Sequence, residues 1–239
     1  MVMINAFEKT YESAHENMAY DELLLYQVEQ APTQGYLRFW ESDEYYIVLG
    51  HANRISEEIN RVQNQLTITR RCTGGGTIVQ GPGCLNYSLI IPISASPLLR
   101  NIQSTNQFVM GRHQQSFRDH GLEVSVCGVT DLTFNSRKFS GNAQKRIQNS
   151  ILFHGSILYQ FDLDKISRYL SFPPKVPEYR QGRSHAEFLV NLPLTSACIK
   201  TIVCQAWGCK NRSSIIPDLE VFELANHKYS QQNWIEKFL

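Results

Sequence analysis

Apolar positions along this chain switch between a helical and a strand period, and the switches outline the fold. Ala14, Met18, Leu25 and Val28 recur near the helical period with acidic and polar residues between them, which predicts a first amphipathic helix. Tyr36–Trp40 and Tyr45–Leu49 read as strands separated by Glu41-Ser42-Asp43. Ile55, Ile59 and Val62 predict a short helix before a strand-like run over Leu66–Arg71. Leu85–Pro92 reads as a buried strand ended by proline, and Ile102, Val109, Met110 and Phe117 as a helix stopped by Gly121. Leu122–Val126, Asp131–Phe134 and Ile151–Tyr159 follow as successive antiparallel strands. Helices are predicted over Leu163–Leu170, Pro193–Trp207 and near Trp234, with Pro173, Pro174 and Pro177 imposing an irregular loop before Arg183–Leu192. The order is mixed rather than a regular βαβ alternation. It predicts an α+β fold with a mixed, largely antiparallel sheet flanked by helices.

No low-complexity stretch, repeat or linker divides the 239 residues, so the expectation is one domain over 1–239. Net charge is +1, which gives no global field favouring nucleic acid or an anionic membrane. The longest apolar runs are too short to span a bilayer and the N-terminus lacks signal-peptide character, so a cytoplasmic location is expected. The six cysteines show no CxxC pair and no zinc spacing. Cys198, Cys204 and Cys209 lie in an apolar, helix-like stretch and read as buried hydrophobes.

The chemistry-bearing segment is Arg70-Arg71-Cys72-Thr73-Gly74-Gly75-Gly76-Thr77-Ile78-Val79-Gln80. Consecutive glycines give up backbone entropy and fill no core, but allow positive φ and close approach of N–H groups to an anion. A hairpin turn needs fewer glycines and no arginine pair, so a ligand loop is the better reading. Four further constellations accompany it. Lys138 enters Ser140-Gly141, read here as a turn, where a lysine can hold a carboxylate or phosphate as a point charge. His154 interrupts an apolar strand, Asn86 and Ser88 alternate with apolar residues, and Asp131 offers a carboxylate to magnesium.

Taken in order, Trp40, the triple glycine, Asn86, Asp131, Lys138-x-Ser-Gly and His154-Gly155 resemble the catalytic domain of the lipoate–protein ligase A family, related to biotin ligases and octanoyl transferases. Further matching segments are Ile47–Asn53, Gly83–Asn86, Arg137–Ala143 and, more weakly, Tyr179–His185 with Asn191-Leu192. The resemblance implies a class II biotin/lipoate ligase-like fold. It also implies activation of lipoate or octanoate by ATP and Mg2+ to an acyl-adenylate, then transfer to a lysine of a lipoyl carrier domain. That carrier would belong to a 2-oxoacid dehydrogenase or be a glycine-cleavage carrier protein.

By the same resemblance, Lys138 is the catalytic lysine facing the acyl carbonyl and phosphate, and Asp131 holds magnesium or nucleotide. Trp40 and Val48 line the acyl chain. Thr73, Gly74, Gly75 and Gly76 wrap the mixed anhydride, with Arg71 on its phosphate. Asn86, Ser140, Gly141, His154 and Arg183 complete the substrate and adenylate site, and Pro173–His185 closes as a lid.

Two departures from the family pattern stand out. Gln80 replaces a histidine and Gly81 an acid, which excludes proton transfer at position 80. The chain also ends about where two-domain ligases begin an accessory domain, so no C-terminal accessory domain is expected and a separate accessory chain is possible. An octanoyl or lipoyl transferase using Cys127, Cys72 or Cys84, and a non-catalytic lipoate-binding relative, are the competing readings.

Overall fold

A computed structural model describes residues 2–60, 65–211 and 216–238. The described residues run β1 (Ile4–Glu8), α1 (Ala14–Gln30), β2 (Gly35–Trp40), β3 (Tyr46–Leu49), α2 (Ile55–Glu58), β4 (Thr67–Arg70), β5 (Ile78–Gln80) and β6 (Cys84–Pro92). They continue through α3 (Ile102–Asp119), β7 (Val124–Cys127), β8 (Asp131–Phe134), β9 (Arg137–Arg146), β10 (Ser150–Leu158), α4 (Asp164–Tyr169), α5 (His185–Phe188) and α6 (Ser196–Trp207). β11 (Lys210–Asn211), α7 (Asp218–Leu224), a π-turn over Ala225–Tyr229 and α8 (Gln232–Ile235) follow.

The main sheet has the order β11-β1-β2-β6-β10-β9-β8-β7 among the described residues. β1 pairs in parallel with both its neighbours, and every other pair is antiparallel. β6 is buried along its whole length and pairs on both sides, the position that its unbroken apolar run demands. A smaller sheet, β4-β3-β5, stands beside it. The α+β class and the largely antiparallel sheet are therefore as the periodicity predicts.

Helices α3 and α6 cover one face of the main sheet, where Val109, Met110, Phe117, Ile199 and Val203 pack against Leu89, Phe139 and Phe153. Each such buried aliphatic or aromatic side chain contributes about 1.5–3 kcal/mol over its exposed state. The opposite face takes α1 and the C-terminal helices, through Met18, Leu24, Leu25, Val221 and Tyr229. The small sheet packs on α4 and α5 through Ile47, Leu49, Val79, Ile166 and Phe188. Helices α1 and α6 start where polar caps permit: the hydroxyls of Ser13 and Thr195 accept from the backbone N–H groups of His15 and Cys198.

Four segments depart from the pattern-based expectation. Ser140-Gly141 is no turn but lies inside the ten-residue strand β9, which runs between β8 and β10. Its polar residues stand half-buried at a cavity, so the alternation that marks a strand is blurred. β1 was not anticipated, nor was α7. The predicted helix at Ile55 spans only Ile55–Glu58, and Val62 lies outside the described residues.

Candidate active site

A cavity of about 390 Å³ lies between the two sheets and is roofed by the proline-rich segment. That volume falls in the range of small-molecule sites. Trp40, Val48, Ile78, Leu158 and Phe188 supply apolar walls, while Lys138, Asp131, Asn142 and His154 face it from β8, β9 and β10.

The glycine loop forms one rim. Only Gly75 of its three glycines has positive φ, at 87°. A side chain there would meet the Arg71 guanidinium, because Arg71 is folded into the loop. Its Nε donates to Thr73 Oγ1 (3.0 Å), and its Nη2 donates to the carbonyls of Gly74 (2.6 Å) and Gly76 (2.8 Å). Burial pulls its pKa down to about 10, below the usual guanidinium range. The sequence reading put Arg71 on a phosphate. Its donors are instead spent on carbonyls, so it braces the loop. Arg70 braces from the other side, donating to the carbonyls of Gly50, Asn53 and Ile235.

A buried polar relay links this loop to the sheet. Thr73 Oγ1 lies 2.6 Å from His154 Nε2, and His154 Nδ1 lies 3.2 Å from Asp21 Oδ2. Asp21 also accepts from Ser88 (2.6 Å) and pairs with Arg38 at 2.8 Å. Burial alone would raise the Asp21 carboxyl, yet the His154 hydrogen bond and the Arg38 charge hold it below the ordinary carboxylate range. With Asp21 ionised, the network assigns the proton to Nδ1 and leaves Nε2 to accept from Thr73. His154 is thus a satisfied histidine that also lines the cavity. Asp21 was missed from sequence, although Asn17 and Asp21 sit on the face of α1 that Met18 and Leu25 mark as buried.

Lys138 pairs with Asp131 (Nζ to Oδ1, 2.8 Å), and Tyr179 donates to the other carboxylate oxygen at 2.7 Å. A register shift between β8 and β9 beside Lys138 re-aims the strand. The bare backbone of Gly141 leaves room for the lysine end, since a Cβ there would come 2.8 Å from Lys138 Nζ and push it aside. Thr130 and Asn142 exchange hydrogen bonds of 2.7 and 2.6 Å, which fix the loop before Asp131 to β9. Ser140 is buried and accepts from Asn142 at 3.3 Å. The backbone N–H of Val190 donates to the Lys138 carbonyl (2.9 Å), so the far end of the roof is tied to the strand that carries the lysine.

No group of three His, Cys, Asp or Glu residues able to hold a metal, around Asp131 or elsewhere, occurs among the described residues. A lone carboxylate suits magnesium that arrives on nucleotide phosphates rather than one held in a protein cage.

Gln80 and Asn86 pair amide to amide (2.6 and 2.8 Å) in the cavity wall. Trp40 is buried there with its indole N–H unpartnered. Glu58, another residue the sequence reading missed, accepts from the backbone N–H of Thr77 at 3.0 Å and anchors the end of the glycine loop. Arg183 is displaced from its expected place. It lies outside the cavity and donates to the carbonyls of Ser136, Tyr179 and Arg180, whereas Arg180 lines the cavity. None of the six cysteines lines it. Cys72 and Cys84 are buried, which pushes their thiols up to about 11 and about 12.

The fold matches that of a known group of proteins. The family model described as the lipoyl protein ligase A/B catalytic domain matches residues 13–194, and the chain belongs to that family. Lipoate–protein ligase 1 of Staphylococcus aureus is 24% identical over 202 residues, covering 80% of this chain and 57% of that protein. Octanoyltransferase LipM of Halalkalibacterium halodurans is 23% identical over 257 residues, covering 91% of this chain and 93% of that one. A chain of the bi-partite lipoate protein ligase system of Thermoplasma acidophilum has the same fold, with a TM-score of 0.84 at 21% identity, covering 100% of this chain and 98% of its own. The chain spans about half the length of the ligases it matches. No helix among the described residues is long and apolar enough to cross a membrane.

Proposed function

We propose that this chain carries the catalytic domain of a lipoate–protein ligase-type enzyme. In the first half-reaction a carboxylate oxygen of lipoate or octanoate attacks the α-phosphorus of ATP, and pyrophosphate leaves with the electrons of the broken P–O bond. In the second, the neutral ε-amine of a carrier-domain lysine attacks the acyl carbonyl; an amide forms, AMP leaves and the amine loses a proton. The observation that carries this reading is an apolar-walled cavity presenting the Lys138 ammonium and containing no thiol. Lys138 stabilises negative charge at the carbonyl and phosphate in both steps, the kind of fixed electrostatic contribution that dominates such reactions. The N–H groups of Gly75 and Gly76 serve the mixed anhydride, while Trp40, Val48 and Phe188 enclose the acyl chain. Asp131 contributes one carboxylate toward magnesium brought by the nucleotide, whose chemistry is to neutralise phosphate charge. The acceptor under this reading is a lipoyl domain of a 2-oxoacid dehydrogenase or of the glycine-cleavage system.

A second reading, acyl transfer through a cysteine thioester, is favoured by Cys127 and by the near full-length match to an octanoyltransferase. Cys127 is half-buried directly before the Gly128–Asp131 loop, with its sulfur 3.4 Å from Thr133 Oγ1. One assay separates the two. Apo lipoyl domain is offered lipoate with Mg-ATP, or octanoyl-carrier protein without nucleotide, and acylation is read by mass. The ligase reading expects product and pyrophosphate from the first mixture. Lys138→Ala should lower the rate by about 10²–10³-fold with the melting temperature unchanged. Product from the second mixture alone, lost in Cys127→Ala, overturns it, and wild-type turnover in Lys138→Ala removes that lysine from the mechanism.

A further inference from the structure

We propose that Arg180 is the phosphate-recognising residue of this cavity, a guanidinium whose spare donors await a phosphate group on the ligand. The proposal deepens the ligase reading, which it needs only to name the nucleotide as the source of that phosphate.

Arg180 is 3% exposed and lines the cavity. Its guanidinium lies 4.4 Å from the ring centre of Phe172 and 4.9 Å from that of Phe188, so its plane is set by two aromatic faces. Nε donates to the Arg183 carbonyl at 2.8 Å, while Nη2 is buried without a hydrogen-bond partner. No carboxylate among the described residues pairs with it. The other buried arginines differ: Arg38 has Asp21, and Arg70 and Arg71 are surrounded by carbonyls. A desolvated guanidinium with an idle donor is costly unless something repays it.

The charges of the cavity say what that something is. Four cations line it (Arg71, Lys138, Lys175 and Arg180) against two carboxylates, Glu58 and Asp131. Arg71 is consumed by the glycine loop and Lys138 is paired with Asp131, so the uncompensated positive charge lies on the roof segment, at Lys175 and Arg180. A planar fork between two rings presents parallel N–H groups, a geometry that fits a phosphate and is wasted on a neutral ligand. Tyr179, one residue away, reaches the carboxylate that pairs with Lys138, which puts the roof's cation and the catalytic lysine in one enclosure.

The test compares ligands that differ only in phosphate, by calorimetry on the full chain. Wild type, Arg180→Met and Arg180→Lys are titrated with AMP against adenosine, and with 4′-phosphopantetheine against pantetheine. The expected result is a tenfold or greater loss of AMP affinity in Arg180→Met, partial recovery in Arg180→Lys and unchanged adenosine binding. Equal losses for AMP and adenosine, or none, overturn the proposal, because a merely structural role would not distinguish them. If Arg180 instead confers the preference for 4′-phosphopantetheine over pantetheine and AMP does not bind, phosphate recognition stands and the ligase reading falls. Should Arg180→Met not fold, Arg180→Lys, which keeps the charge and lacks the fork, carries the same comparison.

Discussion

Replacing Arg71 with lysine distinguishes a brace from a phosphate ligand. The substitution keeps a cation and removes the planar fork. In the native loop the three shortest donations run to Thr73 Oγ1 (3.0 Å), Gly74 O (2.6 Å) and Gly76 O (2.8 Å). These acceptors diverge around the guanidinium, and one ammonium on a lysine stem satisfies about one of them. Two charge-assisted bonds are then lost, at about 1.5–3 kcal/mol each. Contributions within one network do not simply add, so the expected cost is about 2–4 kcal/mol. For a chain of this size that lowers the melting temperature by roughly 5–15 °C.

The damage should also reach the chemistry by a defined route. Thr73 Oγ1 joins Arg71 Nε to His154 Nε2, so loosening the loop frees a rim of the cavity while leaving Lys138 and the roof in place. Thermal unfolding, together with initial rates at varied lipoate and varied ATP, reads both effects. A lowered melting temperature with a raised KM for lipoate, and little change in KM for ATP, is the expected result. Unchanged stability with a steep rise in KM for ATP would refute the reasoning and return Arg71 to the phosphate.

Three further outcomes are expected. Gly141→Ala places a methyl 2.8 Å from Lys138 Nζ, and because the lysine end is flexible the cost should appear in kcat more than in stability; a loss of about 10–100-fold is expected, and wild-type kcat would show that Lys138 does not act from this position. Cys72 and Cys84 should resist iodoacetamide in the native state and react on unfolding, whereas Cys198, exposed on α6 and not buried as its apolar stretch predicts, is modified at once; native modification of either buried thiol with loss of turnover would contradict their burial. His113 accepts from the Trp207 indole at 2.9 Å, and burial depresses its pKa to about 3. The unfolded chain takes up a proton below about pH 6.5 that the folded chain refuses, so stability is full above that pH. It falls by about 1.4 kcal/mol per unit as the pH drops toward 3. His113→Gln should flatten the melting-temperature profile between pH 6.5 and 4, and an unaltered slope would place the titration elsewhere.

What the sequence made legible, and what it hid, divides along a physical line. The helical and strand periods of α1, α3, β6 and β10 survive because each element buries one whole face or its full length, and such burial leaves a periodic imprint. β9 escaped because its polar residues face a cavity, so a strand that builds a site reads like a turn. The same limit explains the arginines. Arg70, Arg71, Arg180 and Arg183 are one residue type in two short motifs, and nothing in their spacing tells which donors are already taken. That depends on how the loop backbone closes. Around Arg71 the loop turns its carbonyls inward and consumes the guanidinium, and Arg183 spends its donors on Ser136, Tyr179 and Arg180. The roof then places Arg180 between two rings, with a donor to spare and no carboxylate beside it. A cation is free to meet a ligand only where the surrounding backbone has not already met it. In this fold that condition selects the arginine three residues before the one the sequence pattern singled out.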